Sequence, residues 1–327
     1  NNTIINFYLR FWSRHIKKFI IENNIEVLHV HDLWMLESAY IANKSFKLPV
    51  VADLHENFVQ ALYGYKYANT FPGNILISKK RWQKKEVEWT KKADKIITVI
   101  EEAVERYQKL GNEIDKIVVL PNYVNLDSFL TSSIDKNILE KFSENFTLTY
   151  VGGFDSHRGL ESAIRAVSNI IKVIRNFKLV LVGSGSNFND LKKLANELDV
   201  SEYISFEGWQ PHEKLISYIK ASDMCLIPHL KTVHTDNTIP HKLFQYMILE
   251  KPVVSSNLRP IERILSDTEA GVIFKSNDES DLAEKVISLY KNPKLMKTMG
   301  ENGKRGVIEK YNWDKAAEKL INLYKNI

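Results

Sequence analysis

Apolar residues along the chain alternate between two periods, and the alternation predicts its elements. The opening stretch INFYLRFWSRHIKKFIIENN mixes apolar and basic positions at helical spacing. The strand-like run IEVLHVHD follows, then a helix over 36–44 and the short strand LPVVADLHEN. A long helix over 79–93 leads into KIITVI, a helix from Glu101 and the strand KIVVLPN. A second series starts at FTLTYVGGF and runs through GLESAIRAVSNIIKVI, KLVLVGSGS, NFNDLKKLANEL, YISFEGW, PHEKLISYIKA and DMCLIPH. It closes with HKLFQYMI, KPVVSS, RPIERIL and GVIF, two helices over 282–290 and 294–311, and the amphipathic WDKAAEKLINLYKNI.

Strands separated by helical stretches indicate βαβ units and mostly parallel sheets, whose working loops lie at the carboxyl ends of the strands. The expected fold is therefore α/β, with two Rossmann-like domains. The polar stretch 131–144 marks the boundary, giving domains over 1–140 and 141–312 and a final helix over 313–327. The first series begins on a helix, without the strand and glycine turn that normally open such a half. Its domain is accordingly expected to lack a first strand and loop.

Composition narrows the class. The 327 residues hold 45 Lys and Arg against 40 Asp and Glu, 44% hydrophobic residues and one cysteine, an ordinary balance for a globular protein. A lone Cys225 excludes an internal disulfide and a cysteine-based zinc site, and fits a reducing cytoplasm. No apolar run approaches the roughly 18–20 residues that span a bilayer. The net charge of +5 is too modest to imply nucleic acid, and no nucleic-acid module is present. Charge is concentrated between Lys66 and Lys95, where nine basic residues face three acids, with Tyr63, Tyr65, Tyr67, Phe71, Trp82 and Trp89 in or beside the window. Such a window reads either as a solvated helix face with core anchors or as a surface for anionic lipid head groups, at the inner face of a membrane.

Candidate chemistry lies at strand ends. In YVGGFDSHRG, Gly152 and Gly153 let a backbone turn approach a ligand, and Arg158 follows at a helix start, a combination suited to a diphosphate. Gly183 and Gly185 of LVGSGS repeat the strand–turn–helix context, although GxG alone is weak evidence. Pro240 sits at the first position of a helix whose early N–H groups, near His241, Lys242, Leu243 and Phe244, are expected to point towards an anion. Gln245, one turn on, either bonds a ribose hydroxyl or faces solvent. In the first half, His29 and His31 share a strand face and, with His55 or Glu56, could bind metal.

Taken in order and spacing, VLHVHD, VVADLHEN, ADKIITV, VVLPNYVNLDSF, YVGGFDSHRG, LVLVGSGS, YISFEGW, SYIKASDMCLIPH, PHKLFQYMILEKPVVSS and the closing YNWDKAAEKLINLYKNI resemble the retaining family 4 glycosyltransferases of GT-B fold. The resemblance covers essentially the whole chain. It implies a nucleotide-sugar donor on the second domain, a glycan or lipid-linked acceptor on the first, and a cleft between them. Gly152, Gly153 and Arg158 would lie beside the diphosphate, with Gly153 standing where members often have arginine. Gly183 and Gly185 would floor the site, the backbone of Glu207 to Trp209 would meet the base, and His241 to Phe244 would cap the phosphates. His55 matches a histidine of the sugar-transfer centre, and Glu56 is a candidate for orienting the acceptor. No metal or other cofactor is implied, because basic side chains and the helix start offset the pyrophosphate charge. The last helix resembles the segment that crosses back to the first domain.

The sequence departs from the family at an acidic pair, two glutamates with seven residues between them, where it has Asn237 and Gln245. Glutamine can still bond a ribose diol, and Asp236 lies one residue from the other position. The departure leaves open a glycosyltransferase-like subunit that binds nucleotide or a partner without turnover. A nucleotide-sugar epimerase shares the architecture, and a dehydrogenase is excluded by the missing GxGxxG pattern.

Overall fold

Both strand series form parallel sheets, as buried Val- and Ile-rich strands joined by helices require. The structure, a computed structural model, describes residues 3–55, 57–62, 66–131 and 133–327. The chain divides into two units, one of Asn1–Pro121 with Ala316–Ile327, the other of Asn122–Lys315.

In the first unit, β1 (Leu28–His31), β2 (Val50–Leu54), β3 (Lys95–Thr98) and β4 (Ile117–Val119) pair in that order, all parallel. The series opens on helix Thr3–Asn23, as the spacing predicts. Strand β2 is buried at all five positions although one of them is Asp53, a carboxylate that the core must satisfy. Helix Lys79–Lys92 starts where the Ser78 side chain accepts the Arg81 N–H and ends on Lys91 and Lys92, which favour a helix carboxyl end. Its Trp89 is buried with Leu36, Ala52 and Ile96, and its buried Glu86 accepts a hydrogen bond from Arg106. Residues 313–327 form helix Trp313–Lys325, of which the part from Ala316 belongs to this unit.

In the second unit, β5 (Phe146–Val151), β6 (Phe177–Val182), β7 (Ile204–Gly208), β8 (Met224–Ile227), β9 (Val253–Ser256) and β10 (Gly271–Phe274) form a parallel sheet of order β10-β9-β8-β5-β6-β7. The chain winds outward in both directions from the β5–β8 pair, so a crevice is expected beyond the carboxyl ends of those two strands. The first unit ends at Pro121 rather than near 140. The polar stretch 131–144 hides helix Lys136–Phe142, whose Ile138 and Phe142 are buried in the second unit's core. The Asp135 N–H also donates to Ser217 Oγ at 2.9 Å. The ends of the second unit are clasped together, the Trp313 N–H donating to the Val124 carbonyl at 3.0 Å beside a parallel bridge between Val124 and Asn312. No helix of the described residues is long and apolar enough to cross a membrane.

Candidate functional site

The β5–β8 crevice of the second unit gathers most of the predicted donor residues. Gly152 follows β5 at φ +142°, and a Cβ there would lie 2.5 Å from Lys242 Nζ, so the missing side chain is what gives that ammonium its place. Lys242 reaches in from the start of helix Lys242–Ile248, and its Nζ stands 3.8 Å from the centre of the Tyr150 ring. That Nζ is buried without a hydrogen-bond partner among the described residues, and so is Arg158 Nε. Burial first, and Arg158 second, push the Lys242 ammonium well below the usual lysine range. Arg158 Nη1 donates to His229 Nε2 at 3.2 Å, which fixes His229 as a neutral acceptor. Burial together with Lys242, Arg158 and His157 pushes the His229 ring down to about 2. His157 is also lowered, by burial and then by Arg158. The crevice thus holds two cations lacking a full set of partners beside histidines kept uncharged, an arrangement that an anion would complete.

The remaining candidates fall into place around it. The Gly183 N–H donates to the Gly208 carbonyl at 2.7 Å, and Gly183 and Gly185 pack directly on the backbone of Gly152 and Phe154. Gly153 gives its carbonyl to the Tyr150 hydroxyl at 2.7 Å. The Glu207 carboxylate is committed inside the unit, accepting from Lys141 at 2.6 and 2.8 Å, from Tyr218 at 2.8 Å and from Ser205. Burial would raise that carboxyl, but those bonds hold it below its ordinary value. Only the backbone of Glu207 is therefore left for a base, while Trp209 is 72% exposed beside it.

The helix start differs from expectation. Helix Lys242–Ile248 spans seven residues, and the Leu243 and Phe244 N–H groups donate to the carbonyls of Pro240 and His241. Their side chains are core, at 0% and 1% exposure, so neither residue presents a donor to a phosphate. The charge in this segment comes from the Lys242 ammonium instead. His241 and Gln245 border a cavity of about 320 Å³ together with Phe129 and His212. Asn237 donates to the Val233 carbonyl at 2.6 Å, and Asp236 accepts the Arg259 N–H at 2.8 Å. Lys231 lies 3.8 Å from the same Asp236 oxygen. Asp236 is thus tied to its own surroundings.

In the first unit, His29, His31 and His55 converge on one carboxylate oxygen. Asp53 Oδ2 is 2.9 Å from His29 Nε2, 3.2 Å from His31 Nδ1 and 3.3 Å from His55 Nε2. The register aligns His31 with Asp53 and His29 with Val51, which puts all four side chains on one sheet face. Tyr324 supplies a hydroxyl to His29 Nδ1. Burial pushes the Asp53 carboxyl up, but hydrogen bonds from His29 and His55 prevail and hold it well below the usual carboxylate range. The bond to Asp53 in turn raises His55, against the effect of burial. Glu56, the other acceptor-side candidate, lies outside the described residues, as do Tyr63 and Tyr65 of the basic window.

Sequence reasoning passed over Asp53, His229, Tyr150 and Tyr324. A lone carboxylate inside the apolar run VVADL, and a histidine directly after the strand MCLIP, were the available signals for the first two. Nothing local marks Tyr324, which meets His29 from a distance of 295 residues in sequence.

Residues 132–306 match the family described as glycosyl transferases group 1, and residues 3–128 match glycosyltransferase family 4. An uncharacterized glycosyltransferase of Methanocaldococcus jannaschii is 28% identical over 240 residues, covering 72% of this chain and 59% of that protein. A phosphatidyl-myo-inositol mannosyltransferase of Mycolicibacterium smegmatis is 22% identical over 325 residues, covering 96% of this chain and 74% of that protein. The structure of the Anabaena protein HepE in complex with UDP superposes with a TM-score of 0.80 at 12% identity, over 97% of this chain and 82% of that one.

Proposed function

Because the chain belongs to the group 1 glycosyl transferases, we propose that it moves a sugar from a nucleoside diphosphate to a glycan or lipid-linked acceptor, with retention at the anomeric carbon. Its fold is that of the GT-B glycosyltransferases, two Rossmann-like α/β units. One observation carries the reading: the Lys242 ammonium, which borders the glycine turn beyond β5, and the Arg158 guanidinium each have a buried nitrogen without a partner among the described residues. A nucleoside diphosphate leaves with growing negative charge, and two preplaced cations in a low-dielectric crevice stabilise that charge as the glycosidic bond breaks. With the charge met by side chains, the transfer needs no metal. The first unit takes the acceptor, and His55 hydrogen-bonds the donor sugar or the incoming hydroxyl.

Calorimetric titration with UDP, GDP and dTDP in metal-free buffer tests the donor half. Saturable binding of one nucleotide is expected, and failure of all three on folded protein would sink the proposal. The UDP bound to HepE makes UDP the first to try.

A second reading has its own observation. With Asn237 at the family's acidic position and Asp236 bonded to the Arg259 N–H, the segment 235–237 offers the donor sugar no free carboxylate among its described atoms. A subunit that binds nucleotide without turnover would look like this. Donor consumption, measured with and without candidate acceptors, separates the two.

The basic window fits an acceptor carried on a membrane. Phe71 and Ile75 are 80% and 72% exposed just before helix Lys79–Lys92, whose Trp89 and Thr90 face the core. Its Lys79, Lys80, Arg81 and Lys84 follow that apolar tip in sequence. Flotation with liposomes containing about 30% anionic lipid is expected to carry the protein, and binding is expected to fall as salt shortens the Debye length below about 8 Å. Equal and negligible flotation with neutral and anionic vesicles would remove the membrane from the proposal.

A further inference from the structure

We propose that the cluster at the ends of β1 and β2 binds a first-row divalent ion of the zinc type, held by His31 Nδ1, His55 Nε2 and Asp53 Oδ2. The two imidazole nitrogens lie 3.0 Å apart, and they stand 3.2 and 3.3 Å from the carboxylate oxygen. In a tetrahedral zinc site with bonds of about 2.0–2.1 Å, neighbouring ligand atoms stand about 3.3 Å apart. The three atoms therefore already have the spacing that such an ion needs. Three imidazoles converge on Oδ2, while Oδ1 is buried without a hydrogen-bond partner among the described residues, in a residue only 4% exposed.

The surroundings fit the same occupant. The ligand atoms of His29, His31 and Asp53 all lie within 4.8 Å of one another, so His29 is a further nitrogen close to the site. The Tyr324 hydroxyl on its other ring nitrogen fixes the ring, as partners of metal-bound histidines commonly do. The His31 side chain is 62% exposed, which gives an ion a way in from solvent. His29 and His31 also border an open groove of about 670 Å³ lined by Trp12 and Phe19. A set of imidazoles with one carboxylate favours zinc, nickel or copper; magnesium prefers oxygen ligands and retains its waters.

The site is separate from the cations at Lys242 and has a different consequence. A bound ion occupies Nε2 of His55. Under the proposed function, on which this clause rests, it therefore inhibits transfer.

The test uses the full chain stripped with a chelator and titrated with Zn²⁺ by calorimetry, with Mg²⁺ as the parallel arm and Co²⁺ absorption as a reporter of tetrahedral nitrogen ligation. One zinc per chain is expected, with no comparable magnesium binding. His31→Ala, at an exposed position, is expected to weaken zinc by at least about 10-fold with an unchanged melting temperature in chelator. Asp53→Asn should weaken it as well. Absence of saturable zinc binding, or wild-type affinity in both variants, overturns the site. Zinc bound at the cluster without loss of transfer leaves the site standing and overturns the role given to His55.

Discussion

Lys242→Met is expected to weaken nucleoside diphosphate binding on the order of 100-fold, while the protein melts no lower than the wild type. The two halves of that expectation come from one feature. An ammonium held without a hydrogen-bond partner is a cost to the folded chain when no ligand is present, offset in part by the Tyr150 ring 3.8 Å away. Methionine, one atom shorter, keeps most of the apolar stem and removes the charge. Against a diphosphate the same charge is favourable. Two unit charges about 4 Å apart at an effective dielectric of about 20 interact by roughly 4 kcal/mol, of which about 2.7 kcal/mol corresponds to the 100-fold expected. Calorimetry and a thermal melt on the same sample read both quantities. Unchanged affinity with a lower melting temperature would make Lys242 a packing cation of the core and withdraw it from the donor site.

Gly183→Ala should destabilise the second unit by about 3 kcal/mol or more and weaken nucleotide binding in whatever protein remains folded. Gly183 has φ +142°, and a Cβ built there would lie 1.9 Å from the Gly152 carbonyl oxygen and 2.9 Å from its carbon. Backbone cannot swing aside as a side chain would, so β5 and β6 must separate where their two glycine turns meet. Gly152 in turn borders Lys242 Nζ, which links the strain to the anion site. Gly208→Ala is the control. It also has positive φ, +66°, but nothing lies within 4 Å of its missing Cβ, so only the left-handed backbone cost of about 1–2 kcal/mol applies. Similar denaturant midpoints for the two variants would show that the contact between turns is not what constrains Gly183.

Periodicity carried most of the fold. The buried strands TLTYV and KLVLV could be read directly, because parallel strands covered on both faces are continuous apolar runs. It failed over 131–144, where polar residues on the outer face concealed Ile138 and Phe142 on the inner one and shifted the boundary between units. Short helices such as Phe58–Ala61 and Leu126–Leu130 hold too few turns to show a period. In the proposed donor site, the strand, turn and helix that carry Gly152 and Arg158 were legible because they follow one another in sequence. The burial of Lys242 was not: HKLFQYM reads as a helix start in solvent, and only the Gly152 gap and the Tyr150 ring, nearly a hundred residues earlier, make it an interior cation. Leu243 and Phe244 show the converse. A run of expected N–H donors proved to be closed by i→i−3 bonds, a choice between 3₁₀ and α geometry that sequence does not display. Asp53 was hidden by its neighbours, since a carboxylate within VVADLHEN draws less notice than the histidine two residues on.

The clasp between Val124 and Trp313 has a consequence for which unit can fold alone. Residues 122–315 form one uninterrupted stretch whose two ends meet, whereas the first unit is assembled from 1–121 and 316–327. The second unit can therefore close from a single contiguous stretch, while the first is complete only when the helix from Ala316 brings Tyr324 to His29. Without that second stretch the His29 ring lacks its tyrosine partner, whereas the second unit is unaffected. A chain truncated after residue 315 should resist protease across the second unit and be cleaved more readily around β1.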